Sequence, residues 1–172
     1  THEPSELIFP GAFNPLHDGH LAMIRYAEEL TGKTASLEIS VFNVDQPPLD
    51  FIEMQSRRDA LASCPLIFTN APTFVEKCRI FPDVTFIVGA DTVSRIADTK
   101  YYNNSIDQRD SALDEMRKSS TKFLVFGRYS EKEFLDLDKL TLPAALTDMC
   151  IRVAEEDFRM DVSSSEIRAT HA

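Results

Sequence analysis

The chain has 172 residues, enough to bury one hydrophobic core, and 43% of them are apolar, as in ordinary globular proteins. Its 28 acidic side chains outnumber the 18 basic ones, and the net charge of −10 argues against nucleic acids and anionic membrane surfaces as partners. No apolar run is long enough to span a bilayer. Its scattered cysteines form no CxxC pair and fit a reducing compartment, so we expect a cytoplasmic protein.

Short apolar runs alternate with segments of helical periodicity along the whole chain. The predicted strands are Leu7–Phe9, Ser36–Phe42, Leu66–Thr69, Thr85–Val88, Lys122–Phe126 and Cys150–Ala154. The predicted helices are Gly19–Leu30, Ile52–Ala62, Thr73–Phe81, Thr92–Ala97, Ser111–Lys118, a short turn near Pro143–Leu146, and Ser164–Thr170. This alternation predicts an α/β fold, namely a Rossmann-like, doubly wound parallel sheet of five to six strands with helices on both faces.

We expect residues 1–172 to form a single domain, because the chain shows no internal repeat, no low-complexity tract and no linker. The first predicted strand begins almost at the first residue, and the last predicted helix ends almost at the last one. A domain excised from a longer protein fits this pattern, and so does a short enzyme without tails.

The most informative segment is Phe9–His20, which joins the first predicted strand to the first predicted helix. Unpaired N–H groups and the positive end of the dipole favour an anion at a helix start. His17 and His20 lie at i and i+3, so they point to one face beside that site, and Gly19 leaves room for a phosphate. The alternatives are helix capping or a fragment of a metal site. No third ligand lies at suitable spacing, so we expect no protein-bound metal.

Three blocks of the sequence resemble the nucleotidylyltransferase superfamily. Gly-Ala-Phe-Asn-Pro-Leu-His-Asp-Gly-His, beginning at Gly11, resembles its G-(S/T/A)-F-(N/D)-P-x-H-x-G-H signature. Phe86–Asp91 resembles the strand ending in G-x-D, and Val162–Arg168 is similar to the I-S-S-T-x-I-R element of the mononucleotide adenylyltransferases. The blocks have the family's order and cover nearly the whole chain. The resemblance is closest to nicotinamide and nicotinate mononucleotide adenylyltransferases and cytidylyltransferase-like domains.

The resemblance implies a nucleotidyltransferase that moves AMP or CMP from ATP or CTP to a phosphate monoester and releases pyrophosphate. A pyridine mononucleotide would be such an acceptor, which would place the reaction in NAD biosynthesis. Transfer of this kind depends on aligning two phosphates in line and neutralising the charge that builds on their oxygens. Mg²⁺ would accompany the triphosphate, and we expect no covalent intermediate on the enzyme.

The resemblance also assigns catalytic roles to His17, His20 and Arg168, with the two imidazoles on the α- and β-phosphates and Arg168 on the triphosphate. The nucleotide would contact the segments after the first, fourth and fifth predicted strands and the start of the last predicted helix. These nucleotide-binding residues are Gly11, Ala12, Phe13, Asn14, Gly89, Asp91, Arg128, Ser163, Ser164 and Ser165.

Structural roles remain open for several of these positions. Asn14 precedes a proline and is also a typical turn former. Asp91 could cap the helix that follows it, as Ser164 and Ser165 could cap theirs. Arg128 could be an exposed surface residue.

The acceptor side departs from the family pattern. Bacterial nicotinate mononucleotide adenylyltransferases carry a Lys after the second strand and a Trp that stacks on the pyridine ring. This chain reads Val-Asp-Gln-Pro-Pro-Leu-Asp from Val44 and contains no Trp. Tyr101 and Tyr102 lie at about the position of that Trp and would stack instead. Together with Phe42 and Asn43 they are the expected acceptor-binding residues.

Three classes of protein remain open from the sequence. The first is the catalytic nucleotidyltransferase, whose partners would be ATP or CTP and a small phosphorylated acceptor, with a homo-oligomer as a further option. The second is a non-catalytic nucleotide-binding regulatory domain of a multidomain protein, which the missing Lys and Trp favour. The third, a class I aminoacyl-tRNA synthetase fragment, shares an H-x-G-H element but needs a K-M-S-K-S-like loop and a basic tRNA-binding face, and the chain shows neither.

Overall fold

The computed structural model describes residues 6–43, 46–130, 133–154 and 157–158. The strands in these ranges are β1 (Glu6–Pro10), β2 (Ala35–Ser40), β3 (Leu66–Thr69), β4 (Val84–Gly89), β5 (Lys122–Phe126), β6 (Arg128–Ser130), β7 (Glu133–Leu135) and β8 (Cys150–Arg152). The helices are α1 (Asp18–Thr31), α2 (Phe51–Ala60), α3 (Phe74–Ile80), α4 (Ala90–Ala97), α5 (Ile106–Lys118) and α6 (Ala144–Thr147), with short 3₁₀ helices at Thr99–Tyr102 and Leu137–Lys139.

Six strands form one parallel sheet in the order β3-β2-β1-β4-β5-β8. Strand β1 lies at its centre, where Leu7 is in register with Ala35 of β2 on one side and with Thr85 of β4 on the other. The strand order therefore reverses between β1 and β4, which creates a crevice at the carboxyl ends of these two strands. The predicted doubly wound parallel sheet is confirmed.

The core lies on both faces of the sheet. Leu7 and Ile8 are neighbours in β1 but belong to two different buried clusters, and the same holds for Phe86 and Ile87 in β4. One cluster includes residues of α3, α4, α5 and α6, and the other includes α1. The central strands are buried on both sides, which explains their nearly continuous apolar sequences. In the part of the chain that the structure describes, no helix is long and apolar enough to cross a membrane.

Element boundaries differ from the prediction at several points. Strand β2 ends at Ser40 rather than Phe42, because the chain turns there and the Ser40 hydroxyl donates to the Phe42 carbonyl. Helix α5 begins earlier than predicted, since the Ser105 hydroxyl accepts the Gln108 N–H and caps it. The antiparallel ribbon of β6 and β7 was not predicted. The predicted helix over 164–170 lies outside the described residues.

Candidate active site

Two histidines cap α1 reciprocally at the crevice. The His20 backbone N–H donates to Nδ1 of His17 at 3.4 Å, and the His17 backbone N–H donates to Nδ1 of His20 at 3.2 Å. The arrangement is a capping box in which imidazoles replace the usual hydroxyl and carboxylate. Because Nδ1 is the acceptor in both rings, each neutral imidazole has its proton on Nε2 and offers that N–H as its one donor.

His20 is held neutral by its surroundings. Its ring stacks on that of His17 with 3.7 Å between ring centroids, and it meets the rings of Phe9 and Phe13 edge to face. Burial among these rings, together with the positive charge that His17 can carry, lowers the pKa of His20 from 6.5 to about 4. His20 can therefore donate a hydrogen bond to a phosphate at neutral pH without changing its own charge.

The loop between β1 and α1 is fixed from several sides. The Gly11 N–H donates to the Glu38 carbonyl at 3.0 Å, and Nη1 of Arg57 donates to the Ala12 carbonyl at 2.7 Å. Phe13 has a positive φ of 47° and a buried ring, a conformation that an L-residue holds only where packing enforces it. A Cβ at Gly11 would lie 3.0 Å from that ring. The loop backbone is therefore a rigid lining of the crevice.

At the end of β4, the structure brings together three residues predicted to contact the nucleotide. Gly89 is the N-cap of α4, and a Cβ at this position would lie 2.6 Å from Oδ1 of Asp91. Asp91 is in the first helical turn rather than at the cap. Its Oδ2 lies 3.6 Å from Nη1 of Arg128, and the two side chains are 43% and 45% exposed. An ion pair that exposed is weak and can exchange for a ligand.

Two adjoining cavities lie beside the β1–α1 loop, and neither is lined by His17, His20 or Asp91. The loop cavity, of about 420 Å³, is lined by the β1–α1 loop through Gly11, Ala12 and Asn14 and by Arg57 and Arg95. The tyrosine cavity, of about 320 Å³, is lined by Tyr101 and Tyr102 among others. The residues lining both cavities are Asn43, Pro72, Phe74, Thr92 and Arg95.

Three of the four residues predicted to bind the acceptor line the tyrosine cavity: Asn43, Tyr101 and Tyr102. The Tyr102 hydroxyl donates to the Ile96 carbonyl at 2.9 Å, and burial raises the pKa of this tyrosine. Phe42, in contrast, is 46% exposed and lines neither cavity, because β2 ends before it. The structure therefore does not bring Phe42 into the candidate site.

A buried ion pair under the loop cavity was not anticipated from the sequence. Nζ of Lys77 donates to both carboxylate oxygens of Glu38 at 2.9 and 2.8 Å and to the Ala71 carbonyl at 2.7 Å. The Thr69 hydroxyl also donates to the Glu38 carboxylate. These contacts tie β2, β3 and α3 together. Glu38 is the one charged residue of β2, and a charge at the middle of a strand was the signal that could have revealed the pair.

Arg57 and Arg95 were likewise missed as cavity cations. Arg95 lies one helical turn after Asp91, so the spacing after the G-x-D block could have indicated it. No sequence signal indicates Arg57. It belongs to α2, and its contact with Ala12 joins residues 45 positions apart in the sequence.

The remaining predicted residues, Ser163, Ser164, Ser165 and Arg168, lie outside the described residues, so their assigned roles stay predictions. Within the ranges that the structure describes, no three His, Cys, Asp or Glu side chains cluster as they would around a metal ion.

Comparison with known proteins agrees with the geometry. The family model of cytidylyltransferase-like proteins matches residues 8–170, which include all three sequence blocks and the parallel sheet except for the first two residues of β1. A search of curated proteins finds no significant match. The family match supports nucleotidyl transfer as the general reaction. The chain belongs to the cytidylyltransferase-like family.

Proposed function

We propose that the protein transfers a nucleotidyl group, AMP or CMP, from ATP or CTP to a phosphate monoester and releases pyrophosphate. The observation that carries the proposal is the reciprocal His17–His20 cap at the start of α1, next to the sheet's switch point. With Nδ1 accepting a backbone N–H in both rings, each imidazole has an Nε2–H donor beside the N–H groups of the first helical turn. Such a donor set suits a polyphosphate better than a neutral ligand.

The reaction we propose is a direct displacement. An oxygen of the acceptor phosphate forms a bond to the α-phosphorus, and the bond from that phosphorus to the bridging oxygen breaks, with its electron pair leaving on pyrophosphate. Negative charge grows on the leaving oxygen and the equatorial oxygens. Fixed donors aimed at those oxygens stabilise the transition state more than the ground state. Mg²⁺ enters with the triphosphate and balances its charge.

His20 is suited to this role because its pKa of about 4 makes it a neutral donor before substrate binds. It donates from Nε2 and need not gain or lose a proton in each turnover. The capping bonds at Nδ1 hold both rings in place before substrate arrives. The charge in the transition state therefore meets donors that are already oriented.

The rest of the crevice would bind the nucleoside. We assign the ribose or base side to Gly89 and Asp91 and the phosphate side to the backbone from Gly11 to Asn14. Arg128 would leave its exposed pair with Asp91 and turn to phosphate when the nucleotide binds. Ser163–Ser165 and Arg168 would complete the site at the β- and γ-phosphates.

The tyrosine cavity supports a mononucleotide with a planar base as the acceptor. Tyr101 and Tyr102 contribute aromatic area there, and aromatic rings bind planar bases by stacking. A pyridine mononucleotide fits this description, although the chain lacks the Lys and Trp of the bacterial enzymes. We therefore propose it as the first acceptor class to test.

The experiment is a pyrophosphate-release assay in which ATP and CTP are each combined with nicotinamide mononucleotide, nicotinate mononucleotide, phosphopantetheine and choline phosphate. We expect release with one nucleotide and one pyridine mononucleotide, in equal amount to the dinucleotide product. If ATP or CTP raises the melting temperature but no acceptor yields pyrophosphate, the non-catalytic regulatory domain is the better account. The missing Lys and Trp are the observation that favours that second candidate.

A further inference from the structure

The geometry points to Arg95 as the residue that binds the phosphate group of the acceptor and orients it toward the α1 start. The inference deepens the proposed function, since it names the group that the acceptor must present. Arg95 lies on α4, one turn after Asp91, and lines both the loop cavity and the tyrosine cavity.

The position of Arg95 between the cavities is the first argument. The loop cavity is lined by Gly11, Ala12 and Asn14, which belong to the loop that precedes α1 and its capping histidines. The tyrosine cavity offers aromatic side chains for a base. A mononucleotide with its base between the tyrosines and its phosphate directed at α1 must cross the shared boundary. Arg95 is the cation on that boundary.

The charge of Arg95 is the second argument. Its guanidinium has no hydrogen bond or ion pair with any residue that the structure describes. The other cations near the crevice are engaged: Lys77 binds Glu38 and Ala71, Arg57 donates to Ala12, and Arg128 pairs with Asp91. Arg95 is exposed and lines both cavities, so its guanidinium is accessible to an anion that enters either of them.

The chemistry of the guanidinium is the third argument. Its planar fork of N–H donors matches two oxygens of one phosphate and fixes the orientation of that phosphate as well as its location. Glu38 also lines the loop cavity, but Lys77 compensates its negative charge. A phosphate that binds Arg95 is therefore not repelled by an unpaired carboxylate there. The chain carries a net charge of −10, which makes a local cation all the more necessary for an anionic acceptor.

The test is calorimetric titration of the full chain with matched pairs of ligands that differ only in phosphate, in the absence of nucleoside triphosphate. The pairs are nicotinamide mononucleotide with nicotinamide riboside, and phenyl phosphate with phenol. In Arg95→Ala, we expect a loss of about ten- to a hundredfold in affinity for the phosphorylated member, typical of a charged hydrogen-bonded contact. Affinity for the unphosphorylated member should change less than about twofold, and Arg95→Lys should restore part of the loss.

The matched control is Arg58→Ala, which removes the same charge from exposed α2 at a position that lines neither cavity. Its affinities for the phosphorylated and the unphosphorylated ligand of each pair should equal those of the wild-type chain. The inference is overturned if Arg95→Ala weakens both members equally, if it weakens neither, or if the wild-type chain binds neither phosphorylated probe.

The same variants separate this inference from the proposed function. If the phosphorylated probes bind in a way that depends on Arg95 but no acceptor yields pyrophosphate, the proposed enzymatic function is refuted and the phosphate-binding role of Arg95 is supported. Conversely, pyrophosphate release with an unchanged acceptor KM in Arg95→Ala would refute the phosphate site and leave the enzyme in place. If the proposed function and the role of Arg95 are both correct, Arg95→Ala raises the acceptor KM at least about tenfold. The KM for the triphosphate then stays near that of the wild type.

Discussion

The neutral state of His20 predicts a specific loss of stability in acid. The folded chain keeps the pKa of His20 at about 4, whereas the unfolded chain returns it to 6.5. As the pH falls below 6.5, the unfolded state takes up a proton that the folded state does not accept until near pH 4. The free energy of unfolding therefore decreases mainly between about pH 6.5 and pH 4, and this group contributes little slope above about pH 7.5.

The size of the effect follows from the two pKa values. A separation between 6.5 and about 4 corresponds to a ceiling of about 3 kcal/mol. The ring is only partly buried, so solvent screening reduces this figure, and we expect about 2 kcal/mol at pH 4. About two-thirds of that loss should already be present at pH 5.

The variant that isolates this contribution is His20→Gln. Gln is a usual residue at this position of a capping box, so its side-chain oxygen can accept the His17 N–H without titrating. Urea unfolding followed by circular dichroism at pH 7.5, 6, 5 and 4 gives the stability of both proteins. Carboxylates that titrate in the same range are common to both and cancel in the difference. We expect the wild type to lose about 2 kcal/mol relative to the variant between pH 7.5 and pH 4. A pH-independent difference would refute the assignment of His20 as a ring kept neutral by burial.

Three further predictions concern the surroundings of the site. Lys77→Met leaves the buried Glu38 carboxylate without its cation and should cost about 3–5 kcal/mol in urea unfolding, whereas adding Glu38→Leu should recover most of it; a loss below about 1 kcal/mol for the single variant would contradict this. Gly127→Ala places a Cβ 2.5 Å from the Phe134 ring and 2.9 Å from the Leu135 carbonyl oxygen and should lower stability by about 1–3 kcal/mol, measured by thermal unfolding; an unchanged melting temperature would contradict this. Tyr101→Ala should raise the acceptor KM and leave the ATP KM nearly unchanged in steady-state kinetics; wild-type acceptor kinetics would place the pocket elsewhere.

The fold could be predicted largely because its signals are local. Buried parallel strands read as apolar runs, and each of the strands β1 to β4 is followed by a helix with its own periodicity. The ribbon of β6 and β7 escaped prediction because its strands, Arg128–Ser130 and Glu133–Leu135, are too short to show alternation. The sequence predicts that β2 continues two residues beyond its observed end at Ser40. Val41 and Phe42 are apolar, and only the turn in the folded chain marks the end of the strand.

The site was predictable where a motif sets the backbone and unpredictable where distant side chains meet. The sequence places His17 and His20 at the helix start, but their reciprocal caps depend on rotamers that a motif does not specify. Glu38 and Lys77 are 39 positions apart, and their pairing follows from the packing of α3 against the sheet. Arg95 belongs to the helix that the G-x-D block opens, yet its role emerges only when the two cavities are seen to adjoin.

The most direct test of the central claim is the turnover of His20→Ala in the pyrophosphate-release assay, with the active acceptor and nucleotide affinity measured in parallel. If His20 stabilises charge that develops only in the transition state, kcat should fall by about a hundred- to a thousandfold while nucleotide affinity changes only a few-fold. His20→Asn, which retains a donor without the imidazole, should recover part of the loss. Wild-type turnover in His20→Ala would contradict the account and favour a domain that binds nucleotide without transferring it.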